Sequence, residues 1–424
     1  MTNDLNICLI GCGTHGASRL APAIQTNDGA VLVGCIDVDL ETARAIAGLD
    51  TPVSTDINDL RSQVEVDAAV VAVPHDQLAP VTLQCLESGL HVLVEKPMAL
   101  NEVEALDVIA AAVANKRVLM PAYCLRFNHV RTRAFELLQR GVAGETKTLA
   151  AAKGSPPLTG WLADRTRGGG QLLFLGSHLV DQLLWLHPQP VARVYATIQD
   201  RADDRSEESI SGLIEFTDGV AATISLSQGA ATAYDHLEIT GSEGRISSDW
   251  KSGQIGLDLE ISPSHPVPVV EHVRTDLLQP MYDAEIAEFA AAIRTNQQPS
   301  VTANDGLRVL RVLDGLRKSA AQKTPIDIHD AGPSNNVLQE ADSSQARLRV
   351  QFTYPADSIQ RPFIYELSQR FDLRFDVRRA DVDAGIGWIQ LLLEGDRSEL
   401  DAAITWAESQ GVRASPVEGD VISG

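Results

Sequence analysis

The sequence predicts a chain in three parts: an α/β domain with a doubly wound parallel sheet, an α+β domain with a largely antiparallel sheet, and a small C-terminal βαββαβ domain. Three observations carry this. From Leu5 to Tyr123 short apolar runs alternate with helical patterns, as crossover helices between parallel strands require. From there to about Asp330 the strand-like segments are longer and alternate apolar with polar, the mark of antiparallel strands with one solvated face. After a stretch without apolar periodicity, the last part runs strand, helix, strand, strand, helix, strand.

The first domain, residues 1–122, has expected strands at Leu5 to Ile10, Val31 to Ile36, Ala68 to Val73, His91 to Val94 and Val118 to Met120. The second, 123–330, opens with a helix around Val130 to Arg140. It continues with strands such as Val191 to Ile198, Gly212 to Phe216 and Ala221 to Ser227, and closes on helices at Met281 to Arg294 and Asn304 to Ser319. Residues 331–345 (AGPSNNVLQEADSSQ) are rich in Gly, Pro, Ser, Asn and acidic residues and read as a linker. Within 346–420 the expected elements are a strand at Arg347 to Thr353, a helix around Ser358 to Phe371 and a strand at Leu373 to Arg379. A turn at Asp381 to Gly385 leads to a strand at Ile386 to Leu393, a helix at Ser398 to Glu408 and a strand at Val412 to Pro416. That order is the ferredoxin-like arrangement.

With 424 residues, 44% hydrophobic and 22% charged, the chain is of globular composition and long enough for roughly two or three domains. Its 35 Lys and Arg against 57 Asp and Glu give a formal charge of -22, which disfavours nucleic acid and anionic membranes as partners. The start, Met1 to Asn6, lacks a secretory profile, and no apolar run is long enough to span a bilayer, so a cytoplasmic location is expected. The five cysteines (Cys8, Cys12, Cys35, Cys85 and Cys124) are an odd number without metal-ligand spacing, and neither a disulfide framework nor a metal site is expected.

After the first strand stands Gly11-Cys12-Gly13-Thr14-His15-Gly16, a G-x-G-x-x-G that opens a helical pattern. Its glycines supply a tight turn, close approach to a pyrophosphate, and close packing of helix on strand. Asp37 ends the second strand, at about the 20-residue interval expected of the ribose-binding acid in a Rossmann dinucleotide domain. A carboxylate there accepts hydrogen bonds from a ribose 2′-hydroxyl and repels a 2′-phosphate. No Arg follows directly in Asp37-Val38-Asp39-Leu40, the nearest being Arg44, so NAD is expected over NADP.

Glu95-Lys96-Pro97 at the end of the His91 strand, together with the Gly11 to Gly16 loop, resembles the Gfo/Idh/MocA oxidoreductase family. Ala72-Val73-Pro74, Tyr123 to Asn128, Gly168 to Asp181 and Tyr282 to Phe289 extend the resemblance over about 330 residues. The resemblance implies hydride transfer between a nicotinamide and a small hydroxylated or amino-acid-like substrate. Lys96, before a trans or cis prolyl bond, would polarise the reacting oxygen, and His178 would take or give the hydroxyl proton, or else sit as a satisfied core residue. Asp181, one helical turn on, could orient that ring or be a hydrogen-bonded core position. Around the cofactor the resemblance puts Gly11, Gly13, Thr14, His15, Gly16, Asp37, Val73, Pro74, His75, Glu95, Lys96 and Trp161. Around the substrate it puts Lys96, Arg126, Arg165, His178 and Asp181, an Arg serving as a two-pronged carboxylate holder.

The family's usual G-G-G-x-L-x-D-x-G-x-H run carries an Asp four residues before the His, and this sequence has Phe174 there. A phenyl ring cannot share a proton. The reading that follows is an NAD-dependent oxidoreductase relying on Lys96 and His178, or alternatively an NAD-binding sensor or regulator that has lost the chemistry.

Arg361 to Leu367, Phe375 to Ala380, Gly387 to Gly395 and Ala402 to Trp406 resemble the NIL domain, with Asp376-Val377-Arg378 in place of its Asn-Ile-Leu signature. This implies a metabolite-sensing module for an amino acid such as methionine, bound between paired domains, or a dimerisation module without ligand. A homo-oligomer, dimer or tetramer, is expected.

Overall fold

The computed structural model describes residues 4–201, 203, 206–251, 254–261, 270–274, 278–330, 332, 345–354, 363–371, 373–383, 386–410 and 412–421. The chain divides into two compact units, Met1–Pro333 and Ser334–Gly424.

The first unit begins with β1 (Leu5–Ile10), a π-helical turn at Gly16–Leu20 that runs into α1 (Ala21–Gln25), β2 (Ala30–Ile36), α2 (Leu40–Ala47), β3 (Val53–Ser54) and α3 (Ile57–Arg61). It goes on through β4 (Ala68–Val71), α4 (His75–Glu87), β5 (His91–Glu95), α5 (Glu102–Ala114) and β6 (Leu119–Ala122). The six strands form a parallel sheet in the order β3-β2-β1-β4-β5-β6. Runs such as Ala68–Val71 are fully buried, which is why they read as continuous rather than alternating apolar stretches. The order reverses between β1 and β4, and at such a switch point the crossovers diverge and leave a crevice at the carboxyl ends of the strands. Asp39, Asp56 and Asn101 accept bonds from the first free amides of α2, α3 and α5. Two expectations shift here. β4 stops at Val71 because Pro74 cannot donate to a ladder and instead leads into α4, and β3, two residues long, is too short to leave a sequence pattern.

A 3-10 turn at Cys124–Phe127 and α6 (His129–Gln139) lead to β7 (Thr146–Ser155). A second π-helical turn, Leu172–Gly176, enters α7 (Ser177–Leu186). β8 (Val191–Asp200), β9 (Glu207–Phe216), β10 (Ala221–Gln228), β11 (Tyr234–Gly241), β12 (Gly244–Lys251), β13 (Gln254–Ile261) and β14 (Val270–Arg274) precede α8 (Gln279–Thr295), α9 (Ala303–Gln322) and β15 (Ile326–Asp327). The strands form one mixed sheet ordered β14-β13-β12-β11-β7-β10-β9-β8-β15, antiparallel except for the β7–β10 pair. Its inner face, with Leu149, Ala151, Val194, Ala196, Ile224 and Leu237, packs on α7 and α9 in the same core that fills the parallel sheet. α9 starts with a capping box in which Thr302 and Asp305 satisfy each other's backbone.

In the second unit β16 (Gln345–Tyr354), α10 (Phe363–Arg370), β17 (Arg374–Asp383), β18 (Ile386–Asp396), α11 (Arg397–Ser409) and β19 (Arg413–Val421) make an antiparallel sheet ordered β17-β18-β16-β19. Both helices cover a core of Val350, Phe352, Phe363, Leu367, Leu391, Leu393, Leu400 and Ala403. This is the ferredoxin-like arrangement expected. The turn, however, starts later than Asp381: Asp381–Asp383 still pair with Ile386–Trp388, because ladder bonds outweigh the turn preference of two aspartates. The predicted linker, apart from Gly332 and Gln345, and the predicted start of α10 at Ser358 lie outside the described residues. Among the described residues, no helix is long and apolar enough to cross a membrane.

Candidate active site

The crevice at the switch point begins with the Gly11–Gly16 loop. Gly11 has φ +94, and a Cβ on it would collide with the Ala72 carbonyl beyond β4; a Cβ on Gly16 would meet the Gly11 carbonyl. Gly13 differs, having nothing within 4 Å of the place a Cβ would take. The loop is thus closed on the protein side and open on the other, the shape a pyrophosphate needs. Cys12 N donates to Asp37 Oδ2 at 2.8 Å and Asp39 N to Oδ1 at 3.0 Å, which fixes the carboxylate beside the loop. Thr14 and His15 are exposed next to Gly13, while Val73 and Pro74 are half-buried on the way from β4 to α4. Arg44 is committed elsewhere, donating to the carbonyls of Gly48 and Thr51.

Across the crevice, β5 delivers Glu95 and Lys96, the latter joined to Pro97 by a cis bond. Glu95 Oε1 lies 2.7 Å from His15 Nε2, and Oε2 accepts from Lys96 N at 3.1 Å. Burial would raise the Glu95 carboxyl, but His15 and Lys96 outweigh it and hold it below the usual carboxylate range. His15 also meets Tyr282 of α8 edge to face at 5.4 Å.

Lys96 is 7% exposed, and its Nζ donates to the Phe174 carbonyl at 2.9 Å and sits 4.6 Å from the centre of the Phe174 ring. Burial pulls the ammonium down to about 8, with Glu95 resisting. The π-helical turn holding Phe174 runs into α7, whose second residue is His178. The Nδ1 of His178 has no partner, and its pKa is held well below the ordinary value, first by burial and then by Lys96 and Lys153. A neutral imidazole beside a lysine of depressed pKa can accept a proton from a hydroxyl placed between them. His75, buried at the start of α4, puts Nδ1 2.6 Å from the Gly168 carbonyl and its ring 4.8 Å from Trp161; burial and Lys96 take it down to about 4.

Not every expected residue joins this group. Arg126 Nε and Nη2 donate to Asp181 at 3.0 and 2.6 Å, and Asp305 lies 3.4 Å from Nη2. Burial opposes the guanidinium, yet the two carboxylates keep it charged; burial pushes Asp181 up to about 6 against the pull of Arg126. Asp181 therefore grips Arg126 rather than orienting the His178 ring, and the Arg126 fork is already filled. Arg165 is engaged by Asp200 and by Glu207.

Other residues at the site escaped the sequence reading. Lys153 Nζ is 2.6 Å from Asp235 Oδ2, and Arg131 Nη2 donates to Asp235 Oδ1 at 2.7 Å. Glu285 on α8 is 0% exposed with both carboxyl oxygens unpartnered. Burial, then Glu95 and Asp181, lift its pKa well above the usual range. A signal existed: Lys153 follows Leu149 and Ala151 in the inward phase of β7, Asp235 precedes Leu237 and Ile239 in that of β11, and Arg131 lies within the apolar stripe of α6.

Family models match in three places: an oxidoreductase family with an NAD-binding Rossmann fold over residues 5–123, the GFO/IDH/MocA C-terminal domain over 132–247, and a NIL domain over 348–415. The chain belongs to the Gfo/Idh/MocA family. This Gfo/Idh/MocA protein is 26% identical over 328 residues to inositol 2-dehydrogenase of Rhizobium meliloti (strain 1021), covering 76% of the chain and 98% of that protein. It is 25% identical over 327 residues to 1,5-anhydro-D-fructose reductase of Ensifer adhaerens, covering 74% and 95%. Among solved structures, the aldose-aldose oxidoreductase of Caulobacter crescentus complexed with glycerol shares the fold. It has a TM-score of 0.70 at 21% identity over 77% of the chain and 100% of that one. Levoglucosan dehydrogenase in complex with NADH does so at 0.68 and 19%, over 77% and 99%. The Gfo/Idh/MocA models end at residue 247, before the NIL domain begins at 348.

Proposed function

We propose that this family member is an NAD-dependent dehydrogenase in which Lys96 and His178 handle the hydroxyl proton of a small secondary alcohol, or of the corresponding ketone in reverse. The observation that carries the reading is a buried Lys96 whose ammonium is bonded to the carbonyl of Phe174, four residues before a His178 with an unpartnered Nδ1, in a domain whose first loop is shaped for a dinucleotide. When bound, an oxidised nicotinamide would supply the hydride acceptor for the carbinol carbon. The open face at Gly13 would hold the pyrophosphate, and Asp37 the adenosine ribose. Arg44, the nearest arginine after Asp37 in the sequence, donates to the carbonyls of Gly48 and Thr51, and this supports NAD over NADP. Lys96 polarises the reacting oxygen, and His178 accepts its proton and passes it to solvent. His75 and Trp161 wall the crevice, and Glu95 fixes Lys96 and His15 relative to each other.

One observation favours a second reading, an NAD-binding sensor: the Phe174 carbonyl and ring both hold the Lys96 ammonium where an acid would have shared its proton. The two part on turnover. K96M and H178A should each lose turnover by about a hundredfold or more while still binding NADH, and NADP should bind the wild type more weakly than NAD. Full turnover in both variants removes the assigned roles. NADH binding without turnover in the wild type favours the sensor. For the C-terminal NIL domain we propose an amino-acid ligand such as methionine, held between subunits of a homo-oligomer.

A further inference from the structure

The sheet side of the cleft carries an unbalanced charge. Lys153 and Asp235 stand directly opposite each other on β7 and β11, on the face that sends Leu149, Ala151, Leu237 and Ile239 into the core. Against that face of β7 pack α7, which bears His178, and the turn that bears Phe174. Asp235 is shared by two cations, Lys153 at 2.6 Å and Arg131 at 2.7 Å, and exposure is 7% for Lys153, 4% for Asp235 and 0% for Arg131. Nε and Nη1 of Arg131 are buried without a partner. Two positive groups thus face one negative group, and Lys96 adds no balance, since its carboxylate neighbour Glu95 is shared with His15 and position 174 offers it a carbonyl and a ring but no negative charge. Lys153 lies close enough to Lys96 and His178 to depress the pKa of both. An uncompensated buried charge is costly, and an anion arriving in the cleft relieves it. The arginines that might have held such an anion have their forks occupied, Arg126 by Asp181 and Arg165 by Asp200 and Glu207.

We propose that the substrate is a hydroxy acid, its reacting hydroxyl between Lys96 and His178 and its carboxylate on the ammonium of Lys153, with Asp235 and Arg131 as positioning residues for that ammonium. The assignment rests on the dehydrogenase reading for the hydroxyl and on the sheet-face cluster for the carboxylate. The reaction balances with oxidised NAD as acceptor: the carbinol C–H leaves as hydride to the nicotinamide, the O–H proton leaves through His178, and the carboxylate is unchanged.

The test uses the full-length chain with NAD and matched probes: D-gluconate and D-glucuronate against D-glucose and myo-inositol. The acids should be turned over in preference to the neutral compounds. K153M should cut that preference on the order of 30-fold or more through KM, K153R should restore part of it, and NADH affinity should stay unchanged. Equal use of acids and neutral polyols, or a K153M loss that falls on both classes alike, overturns the proposal. If no probe is turned over, calorimetry of the acids on NADH-loaded protein decides. Binding that K153M abolishes keeps the anion site while the dehydrogenase reading fails, and no binding of either acid overturns the site.

Discussion

Glu285 illustrates how much a single residue's surroundings decide. On an exposed helix face it would be an ordinary carboxylate, but here it is fully buried on α8, without a hydrogen-bond partner and near Glu95 and Asp181. The folded chain therefore keeps a proton that the unfolded chain releases above a pH of about 4.3. While that holds, the residue's contribution to stability falls as pH rises, by at most about 1.4 kcal/mol per pH unit. E285Q, which cannot ionise, should gain melting temperature relative to the wild type as pH is raised from 5 to 9. Parallel pH dependence of the two proteins, read by thermal unfolding, would show that Glu285 ionises normally. The sequence offered Tyr282 to Phe289 only as part of a family pattern; burial and neighbours, which set the protonation state, were not legible there.

At the scale of elements, the periodicity marked the four-residue β4 and β6 as well as the long helices, but did not single out the ten-residue β7. α8, α9 and the β8–β10 meander follow their patterns to within a few residues, whereas β3 has two residues and left no trace. The contact between elements that matters most is the Arg126–Asp181 pair, which ties the Cys124–Phe127 turn to α7 and so helps to set the helix that carries His178. With side chains 7% and 1% exposed, neither partner finds water if the other is removed. R126M should cost about 3–5 kcal/mol in urea unfolding, and the double variant R126M/D181L should recover much of it, because the burden is an unpaired buried charge rather than a lost attraction. Equal instability of single and double variants would mean that the pair acts through packing. The sequence placed both residues against substrate, with a hydrogen-bonded core position as the other reading of Asp181, and nothing local distinguishes an arginine that waits for a ligand from one that already has a carboxylate.

At the scale of the whole molecule, the division into Met1–Pro333 and Ser334–Gly424 gives the first unit two sheets around one core and the second a sheet and a core of its own. A chain ending at residue 333 should therefore fold and bind NADH with the affinity of the full-length protein, as fluorescence titration would report. A drop of tenfold or more, roughly 1.4 kcal/mol, would mean that the second unit contributes to the dinucleotide site. The sequence by itself determined the three-part order of α/β, α+β and ferredoxin-like domains, the G-x-G-x-x-G loop and the Glu95-Lys96-Pro97 run, because each is written in neighbouring residues and in periods of two or three to four. Only the tertiary structure decided which charges meet. Arg126 finds Asp181 across 55 residues, Lys153 finds Asp235 across 82 and Arg131 across 104, and pairings over such distances follow from how the two sheets enclose one core.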